Sequence, residues 1–300
     1  MKPRIKAYIH LHIAVLLFGF TAILGKLISL SAFSLVWHRM WIAAIGLLLM
    51  PGVVKGIKTI KNKDRKRFLG VGVLIALHWL TFYGSIKLGG NASLTLACLS
   101  TVTLFTAFLE PWFTKSKFNW LELLLGLIII FGILIIAQIG AAYHTAIGVG
   151  LLSAFLAALF STLNKKYIQA SYNSLSISFL ELSAGWLFLV FCTPFFQKGF
   201  DQNFSIPPKD VLYLTILAVF CTSIAFALSV MALKELSAFT TNLAINLEPI
   251  YGIVLAAILF EENKDLGNSF YTGTGIILAA VFAHPIVKKF QRKSRKRVHT

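Results

Sequence analysis

Charge is scarce in this 300-residue chain. Only 13% of its residues are Asp, Glu, Lys or Arg, against roughly 25% in soluble domains, and just 11 are acidic. That excludes an ordinary soluble globule, and the matching excess of apolar residues excludes disorder. Cysteine is sparse too: Cys98, Cys192 and Cys221 lie far apart inside apolar runs. Their spacing excludes a disulfide scaffold and a cysteine metal site, and marks small core residues. No GxxxxGK[ST] loop occurs, so the chain brings no P-loop ATPase of its own. HExxH, CxxC and a gathered cluster of acids are also missing, which argues against an enzyme; His10 and His12 in "HLH" are too slight to reverse that. No cofactor and no metal are expected.

Apolar residues are plentiful instead, at 57% of the chain with 26 Phe and a mean hydropathy of +0.80. A sphere of this size cannot hide so much apolar surface from water, so lipid must be the solvent for much of it. Ten apolar runs follow one another: 8–28, 34–54, 68–88, 92–113, 120–138, 147–164, 174–196, 211–233, 239–260 and 268–287. Each is near the ~20 residues that a helix needs to cross ~30 Å of hydrocarbon. Lipid offers backbone groups no partner, so the runs predict helices. A β-barrel needs alternation, and 124–136 does not alternate. Lys2, Arg4 and Lys6 before the first run mimic a signal peptide, but no small-residue cleavage site follows, which predicts an uncleaved first span.

The basic residues set orientation. With the N-terminus inside, 22 Lys and Arg fall in inside segments and only Lys87, Lys198, Lys209 and Lys264 in outside ones. This asymmetry predicts both termini on the cytoplasmic side of a plasma (inner) membrane. It also accounts for the net charge of +17 through contact of the basic loops with anionic lipid, with no nucleic acid required. The longest outside loop, 197–210, carries no catalytic set.

The two halves are alike. Shifting the second back by 146 positions brings Ala238 onto Ala92, Ala244 onto Cys98, Asn246 onto Ser100 and Pro249 onto Thr103. Five spans precede the shift and five follow. Five is odd, so the second copy must be inverted, and inverted repeats place a substrate site near the midplane between the halves. The expected fold is an all-α membrane protein of ten transmembrane helices, as two inverted five-helix repeats at 1–140 and 141–300.

"NLEPIYGIVLAAILFEE", with Pro249 and Glu262, "GTGIILAAV" at the tenth run, "LLFGFTAILGK" with Gly19 and Lys26, and Arg39 in "WHRMWIAA" together resemble the EamA family of the drug/metabolite transporter superfamily. The resemblance covers nearly the whole chain. In the first half Thr103 and Ser116 stand where that family has Pro and Glu, and Phe18 replaces its Trp. The resemblance implies a secondary carrier, an exporter of small metabolites such as amino acids or amphipathic drug-like compounds, working by alternating access and open to proton coupling. A channel, a structural membrane protein and, last, a membrane-embedded transferase are the alternatives.

Ionisable groups inside spans are costly, so they are the first candidates for the pathway. Glu248 lies about 14 Å into its helix at 1.5 Å per residue, and Pro249 beside it frees the carbonyl of Ile245. Asn246 shares the other face of that helix with Asn242, away from Glu248; one face is expected to pack against a neighbour, and Glu248 is favoured for the pathway with Asn246 the weaker candidate. Ser100, Thr103, Thr106 and Glu110 form a stripe on the fourth span, either a hydrophilic lining or ordinary Ser/Thr packing with Glu110 reaching the interface or pairing with Lys115 or Lys117. Lys26 and Arg39 are expected to come together and receive an anionic group such as a carboxylate. Glu181 pairs with one of them or carries a proton alone. Trp79 and Trp186 are candidates for cavity lining; His38 and His78 read as structural. Glu262 is expected to be solvated or locally paired.

Overall fold

The computed structural model describes residues 3–115, 120–136, 140–195, 205–262 and 266–298. Among the described residues the helices are α1 (Pro3–Gly19), α2 (Thr21–Leu27), α3 (Ala32–Leu48), α4 (Val53–Thr59), α5 (Asn62–Gly89), α6 (Ala92–Leu99), α7 (Val102–Thr114), α8 (Trp120–Ile136), α9 (His144–Tyr167), α10 (Ser174–Cys192), α11 (Pro208–Ala218), α12 (Ala225–Glu235), α13 (Ala238–Ile245), α14 (Leu247–Phe260) and α15 (Asn268–Val298). A π-helical turn, Val219–Ile224, joins α11 to α12. Described residues contain no strand. Among the described residues, seven helical segments are long and apolar enough to cross a bilayer, or eight if α3 and α4 count as one span. Ser116, Lys117, Lys198, Lys264 and most of the 197–210 loop lie outside the described residues.

Two boundaries differ from expectation. The second run was expected to continue to 54, but α3 stops at Leu48 and α4 leaves it at 91°. Pro51 and Gly52 cause the corner, Gly52 standing at φ +86°, where a side chain is strained. At the other end of the chain α15 continues past 287 into the basic tail. The apolar helix Leu124–Ile136 is shorter than a full span.

Two broken helices carry the centre of the bundle. α6 and α13 begin and end 146 residues apart, and so do the ends of α7 and α14. The caps agree: Asn91 accepts from the Leu94 amide and Ser237 from that of Thr240, which satisfies amides that the first turn leaves orphaned. Both assemblies end on a left-handed residue that is not glycine, Lys115 at φ 57° and Glu261 at φ 55°. The chemistry of the break differs between copies. In the first, Ser100 Oγ bonds the Leu96 carbonyl and Thr101 Oγ1 that of Cys98, competing with the helical ladder. In the second, Pro249 follows the break at Asn246 and has no N–H to give.

Large apolar side chains such as Leu127, Leu134, Phe191 and Ile258 face outward, as lipid allows. Inside, α5 packs along α9 and α10. A Cβ on Gly72 stands 2.2 Å from the Glu181 carbonyl oxygen, and one on Gly185 stands 2.6 Å from that of Gly72. Small residues here let two backbones touch. Gly72→Ala is expected to lower stability by about 1–3 kcal/mol through overpacking, measured as a reduced melting temperature in detergent. Gly70→Ala, with nothing within 4 Å of its added Cβ, should leave it unchanged or raised.

Candidate functional site

Between α2, α3, α5, α9, α12, α13 and α14 lies a cavity of about 810 Å³, the part open to solvent included. Its walls are largely aromatic and aliphatic, with Phe18, Trp79, Phe82, Phe160 and Phe226 among them. Into this apolar space project Thr21, Arg39, Asn164, Thr241 and Glu248. A mostly apolar hollow with a few convergent polar groups is the usual form of a small-molecule site.

Arg39 is 2% exposed and is held from three sides. Its Nε donates to Thr222 Oγ1 at 2.6 Å and its Nη1 to the Tyr83 hydroxyl at 2.6 Å, while Nη2 reaches the Cys221 carbonyl at 3.5 Å. The guanidinium stacks 3.9 Å over the Trp79 ring, a cation–π contact strengthened by the absence of water. The π-turn supplies two of these acceptors. Thr222 and Ser223 bond carbonyls five residues back, at Leu217 and Ala218, and the widened turn presents Thr222 Oγ1 and the Cys221 carbonyl to Arg39. Such bulges concentrate at functional sites. Neutral dipoles thus position the guanidinium, and no carboxylate lies within 4 Å of it among the described residues.

Glu248 approaches from the start of α14 and is 6% exposed. Its Oε1 lies 3.2 Å from Thr21 Oγ1. Tyr83 donates to the Thr21 carbonyl at 3.4 Å, so Glu248, Thr21, Tyr83 and Arg39 form one chain of polar contacts. A guanidinium and a carboxyl group thereby share the cavity without touching each other.

Other expectations need correction. Lys26 and Arg39 do not meet: Lys26 Nζ bonds Glu262 Oε1 at 2.7 Å, at the end of the bundle away from the cavity. Glu262 is not solvated but fully buried. It accepts from Lys26, from the Ala92 and Ser93 amides at 2.9 Å each, and from Ser93 Oγ at 2.6 Å. Glu110 was expected to line the stripe, to reach the interface or to pair with Lys115 or Lys117, the last of which lies outside the described residues; its oxygens accept from the Ala238 and Phe239 amides at 3.1 and 2.8 Å. Each carboxylate therefore caps the first turn of the other half's broken helix, where the amide dipoles favour negative charge.

The face of the ninth span is resolved by packing. Asn246 Nδ2 lies 3.2 Å from both the Ser100 carbonyl and Thr103 Oγ1, and Asn242 Nδ2 bonds Thr106 Oγ1 at 2.8 Å and Ser161 Oγ at 2.6 Å. The stripe of Ser100, Thr103 and Thr106 is thus a seam between the two broken helices, where amides act as glue; Asn246, Ser100 and Thr103 are not in the cavity wall. Trp186 packs edge-on against Trp37 at 5.7 Å and does not line the cavity either. Glu181 pairs with neither Arg39 nor Lys26. His78 borders the cavity but its Nδ1 is held at 2.9 Å by Ser153. Sequence reasoning did not single out Thr21, Tyr83, Asn164 and Thr222. Polar pairs inside apolar runs, "CTS" at 221–223 above all, were the available signal.

The fold and the site define a multi-pass membrane protein built around a charged, aromatic-walled hollow. The EamA-like transporter family model matches the chain twice, over residues 5–138 and 144–283, and the chain belongs to that family. It is an integral, multi-pass membrane protein of a transporter family. An uncharacterized transporter of Bacillus subtilis, YetK, is 24% identical over 96% of this chain and 89% of its own length. One of Clostridium kluyveri is 24% identical over 87% of this chain and 88% of its own. A solved crystal structure, 12% identical, superposes with a TM-score of 0.70 over 95% of this chain and 98% of that one, which speaks for the fold alone.

Proposed function

We propose that the protein is a secondary carrier of ten transmembrane helices, arranged as two inverted five-helix halves, 1–140 and 141–300. It exports small metabolites, amino acids or amphipathic drug-like compounds, by alternating access coupled to protons. Both termini are cytoplasmic in the plasma (inner) membrane, and the basic inside segments rest on anionic lipid. The recurrence of caps, breaks and helix ends at 146-residue spacing supports the two halves; the reciprocal capping by Glu110 and Glu262 supports their inversion.

The observation that carries the substrate class is the cavity that Arg39 and Glu248 share, neither of them in a salt bridge among the described residues. Arg39 suits a carboxylate, Glu248 an ammonium, and the aromatic walls an apolar body. Trp79, stacked beneath Arg39, fixes the guanidinium plane. Alternating access here is a rocking of one half against the other about the Asn246–Ser100 seam.

Counterflow of a radiolabelled amino-acid panel in proteoliposomes tests this reading. Glu248→Gln is expected to reduce exchange of the transported amino acid by about tenfold or more, a loss of roughly 1.4 kcal/mol of binding, while the protein still elutes as folded. Undiminished exchange by that variant removes Glu248 from the site.

A further inference from the structure

One buried acid has no partner in the contacts described above. Glu181, on α10, is fully buried, and neither carboxyl oxygen has a hydrogen-bond partner among the described residues. Ser178, one turn earlier on the same face, is also fully buried with its hydroxyl unsatisfied. The Asn164 side chain, from α9, is a polar neighbour of the Glu181 carboxyl, with no hydrogen bond of ordinary geometry between them. Both amide atoms of Asn164 are unsatisfied too, and Asn164 is part of the cavity wall. The Thr241 hydroxyl, also in the wall, is a further buried group without a partner.

Among the described residues, the helices packed against α10 place no counter-charge at Glu181. On α3, Arg39 is bound to Thr222 and Tyr83, and His38 Nδ1 accepts from Trp41. On α5, His78 is bound to Ser153, while Asp64 is bound to Arg67 and Tyr172. On α12, Lys234 donates to the Ala170 and Tyr172 carbonyls, and Glu235 is exposed. Lys165 of α9 donates to the Leu233 carbonyl. The lysines of α4, Lys55 and Lys58, are exposed at the bundle end. An ionised carboxylate without a partner is prohibitively costly in such a place, whereas a neutral carboxyl is tolerated.

We infer that Glu181 is the proton-binding carboxyl of the carrier, joined to the cavity through Asn164. In the arrangement described here it holds the proton. When the halves rock and water reaches it past Asn164, the O–H bond breaks, the proton passes to water, and the carboxylate remains until the site dries and reprotonates. This assigns the proton to a different group from the Arg39 and Glu248 pair, which face the substrate. The inference rests on the carrier reading above.

Two measurements test it, one independent of transport. Infrared difference spectra of the purified protein between acid and alkaline pH should show a protonated-carboxyl band that persists in Glu248→Gln, vanishes in Glu181→Gln and reappears shifted in Glu181→Asp. A spectrum unchanged by Glu181→Gln, or no band at all, overturns the inference even if the protein moves amino acids well. In proteoliposomes, Glu181→Gln should keep amino-acid counterflow but lose accumulation driven by an imposed pH gradient. Gradient-driven accumulation equal to wild type overturns it. If wild type exchanges no amino acid in the panel, the substrate reading fails while the infrared result still decides for or against Glu181.

Discussion

Arg39→Ala is expected to abolish the binding of carboxylate-bearing substrates while sparing cationic ones far more. A hydrogen bond to a charged group contributes about 1.5–3 kcal/mol, so losing the guanidinium should weaken a carboxylate by roughly 10- to 100-fold. Alanine also strips a partner from the Tyr83 hydroxyl, Thr222 Oγ1 and the Cys221 carbonyl, all buried. Tyr83 and Thr222 keep their bonds to the Thr21 and Leu217 carbonyls, but each lost contact costs about 1 kcal/mol, so the melting temperature should fall as well. Arg39→Lys separates the two effects. It keeps the charge but not a planar fork able to hold Thr222 and Tyr83 together over Trp79, so it should recover stability only in part and transport even less. Binding and counterflow with a zwitterion and with a purely cationic amine give the answer; equal losses for both defeat the anion-receiving role.

Glu262→Ala should be the most destabilising single change at the bundle end, by about 3–5 kcal/mol, the range for breaking one partner of a buried ion pair. It frees Lys26 and orphans two amides at the head of α6. Glu110→Ala, at a carboxylate less deeply buried than Glu262 and orphaning two amides, should cost less. The Glu262 contact also has a definite pH signature. Burial pushes its carboxyl up, but Lys26, Ser93 and the Ala92 and Ser93 amides outweigh that and hold it below the ordinary glutamate value. A depressed value means that its stabilisation is complete above the unfolded-state pKa of about 4.3 and fades as pH falls through the lower folded value. Thermal melts of wild type and Glu262→Ala should therefore differ fully at neutral pH and converge in acid. A constant gap across that range rejects the assignment.

Helices were legible because lipid imposes them: once a run of about 20 apolar residues is read, its backbone has only one solution. Arg39 and Glu248 stood out for the same reason, as charges where charge is costly. Partners were not legible. Lys26 and Arg39 are near each other along the chain, yet Glu262, 236 residues from Lys26, takes the lysine because both lie at the same bundle end. The stripe of Ser100, Thr103 and Thr106 reads alike as a wall or as a seam, and only the position of α13 decides. The π-turn escaped notice because hydropathy does not register one extra residue in a helical turn. Pro51 and Gly52 did signal the corner after α3, but an apolar run on either side masked it.

The exchanged caps bear on how the chain is made. Residues 92 and 93 leave the ribosome with their amides bare, and the carboxylate that will satisfy them is 169 and 170 residues further on. The first broken helix therefore waits, partly unfinished in the membrane, until residue 262 has been made. Its own Glu110 can repay the favour as soon as residues 238 and 239 arrive, so the second half docks onto a ready acceptor while the first is completed last.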